Sequence, residues 1–194
     1  MGNRTNKTAF SSSVYTAPTA HPVSVADLRS FLRITDTSED SLLSDFIAAA
    51  TAELENTVRR KFITQTIDEK YDDWPLGEDY SGVLHWAPVA SITSISYVDT
   101  AGATQTWAAA NYVLDNTSEP ARIRIADDAT LPLLEDMNHA VTIRYVAGGT
   151  VASVPIMAKQ WILLRCLAMH CRRPPDNDEL RGLRAIETQL MYGI

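Results

Sequence analysis

The spacing of hydrophobic residues changes along this chain, and these changes constrain the fold more than any single motif. Before position 60, apolar residues recur at intervals of four and three, which indicates a helix with one buried face. From Phe62 the interval becomes two, as in strands, and after Pro155 a helix follows that is apolar on nearly every side. The helical repeat consists of Leu43, Ile47, Ala50, Leu54 and Val58. This order predicts an α+β fold: a small helical bundle, with two N-terminal helices and C-terminal helices, around an inserted antiparallel β-sheet and hairpin region.

Signals at the helix ends place the boundaries of the predicted helices. Ser24 is suited to cap the first helix, with Asp27 in the capping-box position three residues later. Ser38 is expected to cap the second helix, which closes on a basic run from Arg59 that complements the helix dipole. Pro155 suits the first turn of the next helix. The predicted helices span residues 24–34, 39–60 and 155–171.

Turn signals divide the β region, which is predicted over residues 62–147. The turn at 99–102 separates the most clearly alternating strand from its neighbour, and a longer polar loop at 116–120 separates two further strands. The last strand alternates Val141, Ile143 and Tyr145 with polar residues. The predicted strands are residues 62–71, 83–86, 92–98, 104–107, 112–114, 122–125 and about 141–147.

The two ends of the chain differ from the middle. Residues 1–21 are rich in Ser, Thr, Asn and Ala without apolar periodicity, and they are expected to form a flexible N-terminal arm. Residues 22–171 are expected to form the main domain. Residues 172–194 are expected to form a separate C-terminal segment with a short helix. Removing this segment is expected to weaken binding to a partner more than folding.

The charge of this 194-residue chain is unevenly distributed. The net charge is −7, yet residues 24–155 carry 9 basic and 20 acidic residues, whereas residues 156–194 carry 6 basic and 4 acidic residues. A sequence-independent nucleic-acid-binding protein needs a basic groove. The acidic middle of the chain therefore argues against a surface that grips DNA, and it is compatible with a channel along which DNA slides.

The apolar runs and the cysteines of the chain indicate in which compartment the protein is expected. No apolar stretch follows the first basic residues, so we expect no secretory signal. The most apolar run is interrupted by Arg165, so we expect no membrane-spanning helix. Two cysteines, Cys166 and Cys171, are too few for a disulfide framework, which favours a reducing compartment.

Candidate catalytic groups are sparse, and we expect no catalytic residues, metal site or cofactor. The chain has no phosphate-binding loop, dinucleotide fingerprint or serine-nucleophile elbow. Cys166, His170 and Cys171 lack the spacing of a zinc site. Paired acids could bind a metal ion, so a metal-dependent hydrolase stays open as an alternative, although solvated loop charge is the simpler interpretation. These acids are Asp72 and Asp73 with Glu78 and Asp79, and Asp127 and Asp128 with Glu135 and Asp136.

The helix at 155–171 points to an interaction surface. Because it is apolar on nearly all sides, it must be covered either by the rest of the chain or by a neighbouring subunit. A charge placed at Leu163 or Leu164 is therefore expected to abolish folding or assembly. The basic residues that follow are suited to an acidic partner. The predicted interface residues are Trp161, Leu163, Leu164, Arg172, Arg173, Arg181 and Arg184.

Several short motifs occur in an order that is more specific than any one of them. They are PVSVADL at 22–28, FLRI at 31–34, ED at 39–40, IAAATA at 47–52, FITQT at 62–66, APVASI at 87–92, YVDTAG at 97–102, PARI at 120–123 and VPI at 154–156. In this order they resemble the head-to-tail connector, or adaptor, proteins of tailed bacteriophages, prophages and gene-transfer agents. The resemblance covers roughly residues 22–171, and the chain departs from it from Pro174 onward.

The resemblance implies a structural protein of the virion rather than an enzyme. Proteins of this family form a ring, usually of twelve copies, beneath the portal protein of the filled capsid. The ring joins the capsid to a tail-side connector or tail terminator protein and lengthens the channel through which DNA passes without specific binding. The implied location is the virion neck, with no membrane contact. Another neck or capsid-completion protein, without a portal contact, stays open as an alternative.

Overall fold

A computed structural model describes residues 10–77, 81–172 and 176–192. The described residues fall into two compact units. The sheet unit comprises the described parts of Met1–Ala17 and Thr64–Gly148. The helical unit comprises the described parts of Pro18–Ile63 and Gly149–Ile194. The inserted β region predicted from the alternating segment is thus a unit with its own hydrophobic core.

The helical unit contains four helices, and the ends of the first two show why they form. The helices are α1 (Val25–Leu32), α2 (Asp40–Val58), α3 (Ile156–His170) and α4 (Asn177–Tyr192). Ser24 caps α1 as predicted, because its hydroxyl accepts the backbone N–H of Asp27 at 3.0 Å in a complete capping box. Ser38 does not cap α2; its N–H and hydroxyl instead donate to Asp36, so the side chain is used in the preceding turn.

The apolar residues predicted to repeat along the second helix lie in the core of the helical unit. Leu43, Ile47 and Leu54 on α2 have no exposed surface. They belong to one apolar cluster with Trp161 and Cys166 of α3. Because the burial of each large apolar side chain contributes about 1.5–3 kcal/mol, this α2–α3 contact is a main source of stability for the unit. Among the described residues, no helix is long and apolar enough to cross a membrane.

The sheet unit contains two antiparallel sheets. Its strands are β1 (Phe10–Thr16), β2 (Gln65–Tyr71), β3 (Ser81–Val83), β4 (Val89–Val98), β5 (Thr104–Trp107), β6 (Tyr112–Asp115), β7 (Arg122–Ile125) and β8 (Val141–Ala147). The larger sheet has the order β1-β2-β8-β4-β5 and the smaller one β3-β7-β6. The predicted α+β class and the inserted antiparallel region are confirmed.

Strand alternation determines which side chains enter the core of the sheet unit. Ile67 pairs with Tyr145, and Tyr71 pairs with Val141. All four side chains are almost completely buried. Since residues two apart share a face, Glu69 points to the same side and is buried with them. The opposite face carries Asp68, which pairs with Arg144 of β8 at 2.6 Å.

The N-terminal segment differs from the predicted flexible arm. Residues 10–16 of that arm form β1, which pairs with β2 from Phe10 opposite Tyr71 onward. Every residue of β1 is exposed, so the strand has no apolar alternation by which the sequence could reveal it. It is held by backbone hydrogen bonds and by side chains: the Trp86 indole N–H donates to Ser12 at 3.1 Å, and the Arg144 guanidinium lies 3.3 Å from the centre of the Tyr15 ring. Residues 1–9 lie outside the described residues.

The C-terminal segment differs from the expected separate appendage. Its helix α4 has 16 residues rather than a short span. Leu183 and Ile186 are buried in the same apolar cluster as Trp161. The apolar face of this helix therefore completes the core of the helical unit.

Candidate docking surface

The predicted interface residues on α3 occupy three different environments. Trp161 is only 1% exposed, and its indole N–H donates to Glu187 of α4 at 3.2 Å. This corrects the expected surface role of Trp161, whose ring serves the core. Leu163 is partly buried against the same core. Leu164 is 42% exposed and is the apolar residue of the three that faces outward.

Leu164 lines a shallow apolar groove between α3 and α4, named here the α3–α4 groove. Its volume is about 100 Å³. This is well below the roughly 300–1,000 Å³ of small-molecule pockets, so the groove suits a single side chain rather than a ligand. A Cβ atom added at Gly182 would meet no atom within 4 Å, which shows how open the groove is at α4. The lining residues are Leu164, Leu167, Ala168, Glu179, Gly182 and Leu183.

The predicted basic residues lie around the same helical hairpin. Arg172 is exposed and follows α3 with a left-handed φ of 52°. Arg181 lies 3.6 Å from Asp178, and both side chains are largely exposed, so this pair contributes little to stability. Arg184 is exposed on α4 and lines a second depression with Trp161 and Arg165. Arg173 lies outside the described residues.

The loop at residues 126–139, named here the acidic loop, contains one of the two acid clusters considered above for metal binding, and it exposes a leucine that the sequence did not predict. It carries four acids and no lysine or arginine: Asp127, Asp128, Glu135 and Asp136. Leu133 is 81% exposed within it, the highest value among the large apolar residues that the structure describes as exposed. The run Leu131-Pro132-Leu133-Leu134 looks uniformly apolar in the sequence, so no local signal distinguishes the outward residue from its neighbours.

The acidic loop is anchored on both sides of Leu133. The Trp74 indole, packed 4.9 Å from the Trp107 ring, donates to the carbonyl oxygen of Pro132 at 3.0 Å. The backbone N–H of Glu135 donates to Val98 at 3.0 Å. Leu131 and Leu134 pack against the core of the sheet unit. Leu133 is therefore presented outward on a pre-positioned backbone.

The carboxylates considered for metal binding are dispersed or engaged. Asp72 accepts the backbone N–H of His139 at 2.8 Å, and Asp127 pairs with Arg124 at 3.1 Å. Glu78 and Asp79 lie outside the described residues. Within the described ranges, no group of three or more His, Cys, Asp or Glu side chains is arranged to hold a metal ion. The hydrolase alternative therefore has no candidate metal centre in the part of the chain that the structure describes.

The buried polar side chains around Glu69 form a hydrogen-bonded cluster with a structural role. The Glu69 carboxylate accepts hydrogen bonds from the hydroxyls of Tyr71 and Tyr145 and from the backbone N–H of His85 at 3.1 Å. Burial, reinforced by the negative charge of Glu69, raises the pKa of both tyrosines well above the ordinary value. Both hydroxyls therefore stay protonated donors. Phe10 of β1 stacks on the His85 ring at 4.0 Å. The cluster thus connects β1, β2 and β8.

The two cysteines lie in different environments, and that of Cys166 is not the environment of a reactive thiol. Cys166 is buried in the helical core, and burial raises the pKa of its thiol to about 12. Cys171 is exposed. A thiol with a raised pKa is a poor nucleophile near neutral pH, so Cys166 is a packing residue.

The fold of this chain is that of chains from gene-transfer-agent necks. It matches a chain in the neck of an empty gene-transfer-agent particle computed with C6 symmetry, at 24% identity and a TM-score of 0.78, over 93% of this chain and 94% of that one. It matches a chain in the neck of a native particle computed with C12 symmetry, at 25% identity and a TM-score of 0.73, over 93% and 94%. A third match, in the virion of a native gene-transfer-agent particle, has 24% identity and a TM-score of 0.75, over 92% and 94%.

At the level of sequence, residues 22–80 match the family described as Phage gp6-like head-tail connector protein. Together with the neck structures, this match confirms the resemblance to the head-to-tail connector family. The matched chains come from necks and a virion, which agrees with the expected location in a virion neck. No curated protein matches the chain.

Proposed function

We propose that this protein is a structural head-to-tail connector in the neck of a tailed phage or gene-transfer agent. It forms a ring under the portal protein, links the capsid to the tail and extends the DNA channel. The observation that carries the proposal is the fold match over 93% of this chain and 94% of a neck chain, at a TM-score of 0.78. The family match at residues 22–80 is an independent observation in its favour.

A ring of about twelve copies is supported by the symmetry of the matched necks, which were computed with C6 and C12 symmetry. Rings with cyclic symmetry need two different surfaces on each subunit that fit each other. The exposed surfaces of this chain that suit such contacts include the α3–α4 groove and the exposed arginines elsewhere on α4 and at the end of α3. The predicted interface is therefore proposed to centre on Leu164, Arg172, Arg181 and Arg184, with Trp161 and Leu163 supporting it from the core.

The proposed DNA channel requires that DNA passes without being held. Residues 24–155 carry 20 acids against 9 basic residues, so the larger part of the chain repels phosphate. A protein that binds the phosphate backbone of DNA does so with positively charged side chains. The excess of acids thus favours passage of DNA over binding of DNA.

Binding to the portal protein from the same genome tests this function directly. The purified chain is mixed with preformed portal rings, and the mixture is examined by negative-stain microscopy and native mass spectrometry. We expect a stoichiometric collar on one face of the portal, with the mass giving the copy number. An intact portal ring that binds no chain at low and moderate salt would contradict the proposal and favour a neck or capsid-completion role without portal contact. Addition of the tail-side connector or tail terminator protein to the collar then tests the second junction.

A further inference from the structure

The N-terminal strand β1 covers an edge of the sheet unit without burying any residue of its own. Phe10 lies opposite Tyr71, and Val14 lies opposite Ile67. The two β2 residues are each 1% exposed, whereas Phe10 and Val14 are 36% and 50% exposed. Because hydrophobic stabilisation scales with the apolar area removed from water, β1 gains little of it. Strand β2 therefore needs a strand at this edge, but the strand that covers it is among the weakly held parts of the unit.

Side-chain contacts add to the backbone pairing of β1. Phe10 stacks on the His85 ring at 4.0 Å, and Ser12 accepts the Trp86 indole N–H at 3.1 Å. Both partners are residues of the sheet unit, and each contact joins β1 to a single neighbouring side chain. A β1 strand from another copy of the chain can therefore make the same contacts.

The connection from β1 to the helical unit has no contacts that fix its course. Residues 17–21 are all exposed, and in the part of the chain that the structure describes they make no hydrogen bond, ion pair or ring contact. The next residues, Pro22 and Val23, are buried, and Val23 belongs to the core of the helical unit. Fully extended, five residues span about 17 Å. The connection thus allows β1 to leave its own sheet unit while Val23 stays in its core.

We propose that β1 is exchanged between neighbouring copies, so that the β1 strand of one copy pairs with β2 of the next. The inference rests on the proposed function, because the ring on the portal brings copies of the chain side by side. Exchange of an identical element is a low-cost route to assembly, since the exchanged contact is the one that a single chain already makes. Copies held next to each other are present at a high effective concentration, which favours pairing between chains. Each copy donates a strand on one side and accepts one on the other, which is the heterologous arrangement that a closed ring requires.

A disulfide across β1 and β2 shows which copy supplies the strand. Ser11 lies opposite Lys70, so the variant with Ser11→Cys and Lys70→Cys places two thiols on neighbouring strands at a separation that suits a disulfide. Cys171→Ser removes the exposed native thiol. Oxidation of portal-bound collars should give covalent multimers on denaturing, non-reducing gels, because each disulfide joins two copies. Oxidation of the free protein at low concentration should instead join the thiols within one chain.

The matched control moves one thiol from β1 to β8. It carries Lys70→Cys and Thr142→Cys, again with Cys171→Ser, and these two positions lie opposite each other on β2 and β8. Both strands belong to the continuous segment 64–148 of the sheet unit. This pair should therefore link within one chain, both in collars and in the free protein.

Locking β1 to its own chain tests whether assembly needs the exchange. The variant with Ser11→Cys and Lys70→Cys is oxidised at low concentration before portal rings are added. We expect this locked protein to form no collar and to regain collar formation after reduction with dithiothreitol. The oxidised control pair should form collars as the parent does, because its disulfide leaves β1 free.

The outcomes distinguish this inference from the proposed function. Collars that contain only intrachain disulfides, or a locked protein that assembles normally, overturn the exchange and leave the connector function intact. Covalent multimers without any portal binding support the exchange and overturn the connector function. If the control pair links but the pair on β1 and β2 links neither within nor between chains, β1 does not pair with β2 and the exchange is wrong. Intrachain disulfides alone, with no collar from the reduced protein, overturn both.

Discussion

At the scale of single residues, Glu69 shows how an ionisable group becomes part of a core. Its side chain has no exposed surface, yet it is surrounded by Tyr71, Tyr145 and the backbone N–H of His85. Removal of a carboxylate from water is costly unless donors replace the lost hydration. Here three donors converge on it, so the cluster is satisfied only as a whole.

Removal of the Glu69 carboxylate should therefore lower the free energy of unfolding considerably. Glu69→Ala is expected to lower the free energy of unfolding by about 3 kcal/mol or more, because three buried donors lose their acceptor. Tyr71→Phe removes one donor and is expected to cost about 1–2 kcal/mol. Urea unfolding followed by fluorescence measures both. Equal losses for Glu69→Ala and for Glu53→Ala, on the exposed Arg165 ion pair, would show that the cluster is not stabilising.

Neighbouring leucines on α3 should respond differently to the same change. Leu163→Asp is expected to lower the free energy of unfolding by about 3 kcal/mol or more, because Leu163 packs against the core. Leu164→Asp should cost about 1 kcal/mol or less, since Leu164 is 42% exposed. It should nonetheless impair collar formation. Thermal melts and portal binding of the two variants distinguish an effect on folding from an effect on assembly. The expectation from the sequence did not distinguish the two effects.

At the scale of elements, aspartates hold three of the turns. Asp99 accepts the backbone N–H groups of Ala101 and Ala103 in the turn between β4 and β5. Asp115 accepts Thr117 and Ser118 in the loop between β6 and β7. Asp36 accepts Ser38 before α2. Because hydrogen bonds stabilise the ionised carboxylate, the pKa of each lies below its ordinary value, and that of Asp115 falls to about 2.

These turns should weaken in acid. A carboxyl whose pKa is lower in the folded state than in the unfolded state stabilises the fold above the unfolded pKa of about 3.9. That contribution is lost as the pH falls through the folded pKa, here towards about 2 for Asp115. The parent should therefore lose stability relative to Asp115→Asn between pH 5 and pH 2, as measured by urea unfolding. A gap between the two proteins that is independent of pH would contradict this.

At the scale of the whole molecule, the C-terminal segment belongs to a core. Leu183 and Ile186 of α4 are buried in the cluster that holds Trp161, and Glu187 accepts the Trp161 indole N–H. The helical unit thus contains residues from both ends of the chain. The packing reverses the expectation that removal of this segment affects docking more than folding.

Deletion of residues 176–194 should accordingly destabilise the helical unit. Loss of two buried aliphatic side chains alone is expected to cost about 4–10 kcal/mol, from 2–5 kcal/mol for each. Calorimetry should show that the cooperative transition of this unit is lost or strongly lowered. Leu183→Ala, expected to cost about 2–5 kcal/mol, is the single-site comparison. An unchanged melting temperature of the truncated protein would contradict this prediction and show that α4 is an appendage.

The sequence by itself determined the elements whose signals are local. The four-and-three spacing of α2, the capping box at Ser24 and the turn before β5 all act within a few residues, so their structures follow from their own side chains. The α+β class follows from the order of these periods. The confirmed resemblance to connector proteins depends on the same order of short motifs.

Only the tertiary structure decided which surfaces those elements use. β1 is a strand because β2 offers an edge at least 50 residues further along the chain, and the exposed side chains of β1 carry no apolar pattern. The burial of Trp161, the exposure of Leu133 and the groove at Gly182 depend on what distant segments cover. Periodicity indicates that a face is apolar, but the partner that covers it is chosen by packing between segments far apart in the chain.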